Sequence, residues 1–153
     1  MSTNFNELIQ KRVDNAGKKV LVTGAAGYLA SSIIHQLLRE GFDVVGLDNN
    51  FKGTTDTLIP FIPHKNFSFI LGDITEPNVV IKAYEGVDYC VHAAGIVGAP
   101  ACKKYKTLAT LVNVDGCKNM AIYKPAHVKL VYCNTGSIYA GGHGVCDENS
   151  LVD

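Results

Sequence analysis

The sequence lacks net charge, a long apolar run and a metal-ligand spacing, and each absence argues against a class of protein. Its 153 residues carry 14 basic and 14 acidic side chains, so the charge does not favour a nucleic-acid or anionic-membrane partner. No apolar run approaches the roughly 18 residues of a membrane-spanning helix. The first residues are polar, and we expect no secretory signal there.

The cysteines point to a reducing environment. The sequence has five, an odd number, with no Cys-x-x-Cys pair and no Cys/His ligand spacing, so we expect no metal site. Cys90 and Cys133 fall in strands that we predict to be buried, where a thiol packs like a small hydrophobic side chain. This usage favours a cytoplasmic location.

A glycine turn between a strand and a helix dominates residues 18–48. The apolar run 20–22 is typical of a parallel strand that is buried on both faces. Gly24, Gly27 and Ala30 then follow with the spacing of a dinucleotide-binding fingerprint, with Ala in place of the last Gly. The first glycine permits a tight turn, the second lets the backbone approach a pyrophosphate, and a small third residue lets the helix lie close to the strand.

The surroundings of this turn favour a nucleotide site over a plain tight turn, which is the alternative for an isolated glycine pattern. A helix that begins near Tyr28 would direct its free N–H groups at the phosphates. Asp48 lies 24 residues after Gly24, at the end of the next strand, where a carboxylate can bind a ribose diol. Its charge would repel a 2′-phosphate and no Arg follows nearby, so we expect NAD rather than NADP.

Strand-like and helix-like segments alternate along residues 18–153, which predicts an α/β fold. We expect a Rossmann-type parallel sheet in the order 3-2-1-4-5, with helices on both faces and the ligand where the order reverses. After the first strand at 20–22, we expect strands at Asp43–Leu47, Phe67–Leu71, Val87–His92 and Lys129–Cys133. We expect helices at Tyr28–Arg39, from Pro77 to about Tyr84, and at Lys103–Lys124. Thr75 or Asp73 would cap the second helix, and a loop at 96–102 would precede the third.

Residues 1–17 form an N-terminal extension before the nucleotide-binding domain at 18–153. Phe5, Leu8, Ile9 and Val13 recur at helical spacing, which is compatible with a short amphipathic helix. A partly ordered tail is an equally good interpretation.

Five short motifs resemble the extended short-chain dehydrogenases, the family of NAD-dependent epimerases and dehydratases. They occur in the family's order across residues 18–153: the glycine motif at 22–30, Gly72–Ile74, Val91–Gly95, Asn113–Gly116 and Cys133–Ala140. Taken together they are specific for the family, although not for any substrate.

The resemblance implies NAD as cofactor and a role for each matching residue. It assigns the pyrophosphate to Gly24, Gly27, Tyr28 and Leu29, the adenosine ribose to Asp48, the adenine to Asp73 and Ile74, the cofactor wall to Ala93, Ala94 and Gly95, and catalysis to the substrate-polarising hydroxyl of Thr135. Two alternatives stay open, since Asp73 could cap the next helix and Asn113 could only fasten its helix to the sheet. We expect His92 and Tyr139 to be structural.

The family's catalytic Tyr-x-x-x-Lys pair is absent, because none of the seven tyrosines has Lys four residues later. We therefore expect the N-terminal, NAD-binding portion of an epimerase/dehydratase-like oxidoreductase for a nucleotide sugar or other alcohol. The Rossmann domain would be incomplete, without the C-terminal substrate region, and the isolated chain inactive. The alternative is a non-catalytic NAD-binding module or truncated gene product that acts by binding only. We also expect a homo-oligomer, paired through the open edge of the fifth strand or through the helix at Lys103–Lys124.

Overall fold

A computed structural model of the chain describes residues 5–52, 55–139 and 145–150. These residues contain a parallel sheet with the strand order β3-β2-β1-β4-β5. The strands are β1 (Lys19–Thr23), β2 (Asp43–Asp48), β3 (Phe67–Leu71), β4 (Tyr89–His92) and β5 (Lys129–Tyr132). The predicted Rossmann-type topology and strand order are confirmed. The last residue of the predicted motif at 133–140, Ala140, lies outside the described residues.

Helices precede β1 and lie between successive strands, and they cover both faces of the sheet. They are α1 (Phe5–Asn15), α2 (Tyr28–Arg39), α3 (Pro77–Ala83), α4 (Ala99–Lys104), α5 (Lys106–Thr110) and α6 (Cys117–Ile122), with a π segment at Leu111–Gly116 and 3₁₀ segments at Thr55–Phe61 and Gly136–Tyr139. Among the described helices, none has the length and apolar character needed to cross a membrane. The division into an extension at 1–17 and a domain at 18–153 stays a prediction.

The alternation of side chains along β1 divides the core between the two faces of the sheet. Val20 and Val22 pack against α2, whose residues Ile34 and Leu38 are buried one helical turn apart. Leu21, which points to the opposite face, is fully buried in a second cluster with residues of α3 and α6. Since both faces are covered, β1 lies at the centre of the molecule and fixes the position of the turn that follows it.

The predicted helix at Lys103–Lys124 and the loop before it are wrong in detail. The helical region begins at Ala99, with Pro100 in its first turn, where a missing N–H is tolerated. It is interrupted at Tyr105 (φ −116°, ψ 43°) and passes through the π segment before α6. Close packing accompanies the π segment, because a Cβ on Gly116 would lie 2.6 Å from Cδ1 of Ile74.

Two further predictions need correction. β5 pairs with β4 on one side only and forms the open sheet edge that the sequence predicts. Cys133, predicted inside a buried strand, instead lies half-buried just beyond this largely exposed strand. The N-cap of α3 is Glu76, without a side-chain cap, rather than Thr75 or Asp73. Asp73 instead accepts a hydrogen bond from the backbone N–H of Thr75 (2.8 Å), which forms an Asx turn before the helix.

The edge strand β5 generates a prediction about association. Val131 and Tyr132 are 60% and 52% exposed there, and an apolar edge can pair with a second copy. We expect sedimentation velocity to show self-association as the concentration rises. Val131→Lys should restore the monomer because a charge opposes edge pairing. Val13→Lys, at a 64% exposed position on α1, is the control. A wild-type chain that stays monomeric at every concentration would contradict the expectation.

Candidate functional site

A cleft of about 790 Å³ lies at the carboxyl ends of the strands, where the sheet order reverses between β1 and β4. Every residue predicted to contact the cofactor lines it: Gly24, Gly27, Tyr28, Leu29, Asp48, Asp73, Ile74, Ala93, Ala94 and Gly95. Thr135 lines a neighbouring pocket of about 290 Å³, which shares residues 93–97 with the cleft. The fold therefore gathers the predicted residues from distant parts of the sequence, with the proposed catalytic hydroxyl beside them.

The turn after β1 lies directly against the backbone that follows β4. Gly24 has a φ of +70°, and a Cβ on it would lie 2.8 Å from both the N and Cα atoms of Ala94. Only glycine meets both requirements, since a side chain is strained at this φ and has no room. The turn is thus fixed to the cofactor wall predicted at Ala93–Gly95.

The first turn of α2 presents free backbone N–H groups to the cleft. The Gly27 N–H donates to the Gly24 carbonyl (2.8 Å), and the first helical hydrogen bond runs from Ser31 N–H to the Gly27 carbonyl (3.0 Å). The N–H groups of residues 28–30 therefore have no acceptor within the helix. The side chains of Tyr28 and Leu29 are exposed, so they leave these donors open. Together with the helix dipole, the donors form a binding site for an anion.

The Asp48 carboxylate is held at the mouth of the same turn. Its Oδ2 accepts a hydrogen bond from Ala26 N–H (3.0 Å), and its Oδ1 accepts one from Asn50 N–H (2.7 Å). A carboxylate oxygen can accept two hydrogen bonds, so each oxygen retains capacity for a ribose hydroxyl. The two backbone contacts therefore orient the carboxylate and leave acceptor sites on both of its oxygens.

Asp73 joins the loop after β3 to the loop after β2. Its Oδ2 accepts from Asn49 Nδ2 (2.7 Å), and its Oδ1 accepts from Thr75 N–H. Burial raises the pKa of Asp73, but these hydrogen bonds outweigh it and hold the pKa below the usual 3.8. The side chain is therefore ionised near neutral pH and holds the loops after β2 and β3 together at this end of the cleft.

A buried hydrogen-bond chain supports the cleft wall from behind. Nδ1 of His92 lies 2.6 Å from Oγ1 of Thr23, which accepts from Ala94 N–H (3.2 Å), and Nε2 of His92 lies 3.2 Å from Sγ of Cys117. Burial lowers the pKa of His92 to about 4, so the ring is neutral at pH 7. This geometry agrees with the predicted structural role of the histidine.

Asn113 fastens the π segment to the loop after β4. Its Oδ1 accepts from Ile96 N–H (2.8 Å) and its Nδ2 donates to the Ile96 carbonyl (2.9 Å). A Cβ on Gly95 would lie 3.3 Å from the same Oδ1, which explains the small residue there. Of the two interpretations left open for Asn113, the structure shows the fastening one.

Thr135 lies in the exposed loop after β5. Its Oγ1 accepts from Ser137 N–H (3.2 Å) and donates to Ser137 Oγ (3.2 Å), so the hydroxyl lies in a local turn. It adjoins the wall shared by the pocket and the cleft. Its catalytic role stays a prediction, as do the cofactor-binding roles of the other residues.

Several cleft residues were missed by the sequence reasoning. Asn49, Phe51 and Lys52 from the loop after β2 line the cleft, as does Thr57, which donates to the Ala26 carbonyl (2.9 Å). The loop shows no periodicity that would mark these positions. Lys52 did have a signal, because it is a cation four residues after Asp48, and the sequence argument considered only arginine there.

Comparison with known proteins gives one family. A family model described as NAD dependent epimerase/dehydratase matches residues 20–152. Among curated proteins, the chain is 30% identical over 140 residues to 3 beta-hydroxysteroid dehydrogenase/Delta 5-->4-isomerase of Mycobacterium tuberculosis, covering 88% of this chain and 36% of that protein. It is 32% identical over 124 residues to UDP-glucuronic acid decarboxylase 1 of Danio rerio, covering 80% and 28%.

Solved structures give the same fold. The epimerase Mth375 of Methanothermobacter thermautotrophicus matches with a TM-score of 0.75 and 28% identity, covering 88% of this chain and 40% of that one. The Bordetella bronchiseptica enzyme WbmG, in complex with NAD and UDP, matches with a TM-score of 0.68 and 27% identity, covering 78% and 38%. The chain thus spans about two fifths of these structures, and 36% and 28% of the two curated relatives.

The contact between the turn and the wall predicts a large effect of Gly24→Ala on stability. We expect the free energy of unfolding to fall by about 2–4 kcal/mol, because strain at positive φ and the clash with the Ala94 backbone both contribute. Gly17→Ala is the matched control, since Gly17 has a φ of +78° but open space for a Cβ. It should lose only about 1 kcal/mol in urea unfolding. Equal losses for the two variants would contradict the close contact.

Burial of His92 predicts a pH dependence of stability. The folded chain keeps the ring neutral to about pH 4, whereas in the unfolded chain it binds a proton below about pH 6.5. Stability should therefore decrease as the pH falls from 6.5 to 4, by about 2 kcal/mol at pH 5. Urea unfolding at pH 7 and pH 5 measures this decrease. His92→Gln should reduce it, whereas His35→Gln, at an exposed position, should not. An undiminished decrease in the His92 variant would disprove the assignment.

Proposed function

The chain belongs to the NAD dependent epimerase/dehydratase family, and from that membership we propose that it forms the NAD-binding portion of an oxidoreductase. One observation carries the proposal. The single cleft combines the glycine turn, the open N–H groups of α2 and the oriented carboxylate of Asp48. These are the three features that a pyrophosphate and a ribose diol require, and they come together at the switch point of the sheet.

The residues present fit the dinucleotide. Gly24 and Gly27 let the turn close tightly against the backbone of Ala94 and of the turn itself, where a Cβ on either would clash. The N–H groups of Tyr28 and Leu29, which line the cleft, would bind the pyrophosphate. Asp48 would accept hydrogen bonds from the adenosine ribose. Asp73 and Ile74 would contact the adenine, and Ala93, Ala94 and Gly95 would form the wall along the cofactor. NAD supplies, when bound, the ring carbon that accepts or returns a hydride.

For the substrate, we propose a nucleotide sugar or another alcohol. The names of the relatives include a UDP-glucuronic acid decarboxylase and a hydroxysteroid dehydrogenase, so family membership alone does not choose between these classes. Thr135 adjoins the wall that its pocket shares with the cleft, where its hydroxyl would polarise a substrate oxygen. Because the chain covers a minority of each relative's length, the activity of the whole protein remains part of this proposal.

The isolated 153-residue chain should bind NAD without substantial turnover. The family's tyrosine transfers the proton, and its lysine lowers the pKa of that tyrosine, yet the sequence contains no Tyr-x-x-x-Lys. The same observation favours the second candidate function, a module that acts by NAD binding only. For both candidate functions we propose a cytoplasmic location, because the odd number of cysteines and the sequence's lack of a Cys-x-x-Cys pair favour a reducing environment.

Calorimetric titration of the chain with NAD and NADP tests the proposal. We expect tighter binding of NAD, because Asp48 would pair with the ribose hydroxyls and repel a 2′-phosphate. Asp48→Asn should weaken NAD binding about tenfold or more and reduce the preference for NAD, since hydrogen bonds to a charged acceptor are lost. Asp115→Asn, at an exposed position paired with Lys118, is the control.

Three results would contradict the proposal. Tighter binding of NADP than of NAD would overturn the assigned role of Asp48, and Lys52 would then be the first residue to substitute. Epimerase turnover by the isolated chain that Thr135→Ala abolishes would show that the chain does not need the missing pair. Absence of NAD binding altogether would refute the cofactor site itself.

A further inference from the structure

The loop after β2 is held in a defined shape at the adenosine end of the cleft. Asp48 Oδ1 accepts from Asn50 N–H, and Asn49 Oδ1 accepts from Phe51 N–H (2.9 Å), which gives two successive Asx turns. Asn50 has a φ of +56°, a conformation that Asn tolerates better than most residues. Since Asn49 also donates to Asp73, the loop is fixed to both acidic side chains assigned to the adenosine.

Phe51 directs an aromatic ring to this end of the cleft. The side chain lines the cleft and is 42% exposed. Its backbone is three residues from Asp48 and one Asx turn from Asn49. An exposed apolar ring at a fixed position in a nucleotide cleft offers a surface for a base.

Tyr105, from the helical region after β4, packs its ring against the Phe51 ring. The two ring centroids are 5.2 Å apart and the ring planes are nearly perpendicular (82°), which is a favourable aromatic geometry. Tyr105 is the residue at which the helical region breaks between α4 and α5. Nζ of Lys104 lies 5.0 Å from the Tyr105 ring centroid, a cation–π distance. The contact joins the segment after β2 to the segment after β4.

We propose that Phe51 is an additional cofactor-binding residue that stacks on the adenine, and that Tyr105 is its positioning residue. The proposal rests on the proposed function, because it requires a dinucleotide in the cleft. The adenine would lie between Ile74 on the sheet side and the Phe51 ring. The break in the helical region at Tyr105 would then position the tyrosine ring against Phe51.

The test compares NAD binding by the wild-type chain, Phe51→Leu, Tyr105→Phe and Tyr105→Ala. Phe51→Leu keeps an apolar side chain but removes the ring, and NAD affinity should fall about tenfold, as expected for loss of one aromatic–base stack. Tyr105→Phe keeps the supporting ring and should bind as the wild type does. Tyr105→Ala should lose several-fold in affinity. Tyr123→Leu, at a 37% exposed aromatic position beyond α6, is the matched control.

A second readout separates stacking from support of the loop alone. The NMR signals of adenine H2 and H8 in bound NAD should move upfield in the wild type and in Tyr105→Phe, because they lie over the Phe51 ring, and this shift should disappear in Phe51→Leu. An unchanged affinity in Phe51→Leu would overturn the proposal, as would a reduced affinity with unchanged adenine shifts. If the wild-type chain bound no NAD, the proposed function would fail and this inference with it. NAD binding that is indifferent to Phe51 would refute this inference alone.

Discussion

The cleft depends on the contact between the turn after β1 and the backbone after β4. Gly24 and Ala94 approach so closely that a Cβ on the glycine would lie within 2.8 Å of the alanine backbone. This distance places the first N–H groups of α2 beside the end of β4, where the sheet order reverses. Parallel strands meet with their carboxyl ends at one edge, so Asp48 and Asp73 reach the same cleft from β2 and β3. One close contact between two backbones therefore positions the N–H groups of α2 relative to the carboxylates of Asp48 and Asp73.

Buried polar groups hold this contact in place at little cost, because they are paired. Thr23 and His92 satisfy each other, and Thr23 also accepts the N–H of Ala94, which would otherwise be left without a partner at the end of its strand. The side-chain amide of Asn113 both accepts from and donates to the backbone of Ile96, two residues further along the wall. These polar links connect residues that are between 17 and 71 positions apart in the sequence. They can therefore form only when the fold brings these segments together.

The sequence was informative at positions where one physical requirement determines the residue type. The apolar strand at 20–22, the glycine spacing at 24 and 27 and the carboxylate at 48 predicted the position of the cleft, and the alternation of strand-like and helix-like segments predicted the strand order. Prediction failed where position depends on the complete fold. Cys133, predicted in a buried strand, lies half-buried beyond the exposed edge strand β5, and the break at Tyr105 has no local signal. Phe51 was missed because its exposure to the cleft is decided by hydrogen bonds to Asp48 and Asn49, which no periodicity reveals.

Backbone NMR of the chain during titration with NAD tests the cofactor site most directly. At 16.4 kDa the amide signals of individual residues can be followed. The N–H groups of residues 28–30 lack acceptors within α2, so they should show the largest shifts and become protected from hydrogen exchange as NAD binds. The amides of residues 93–95 should respond next. Shifts confined to the pocket around Thr135, or no change at the start of α2, would contradict a cofactor site built on the turn at Gly24.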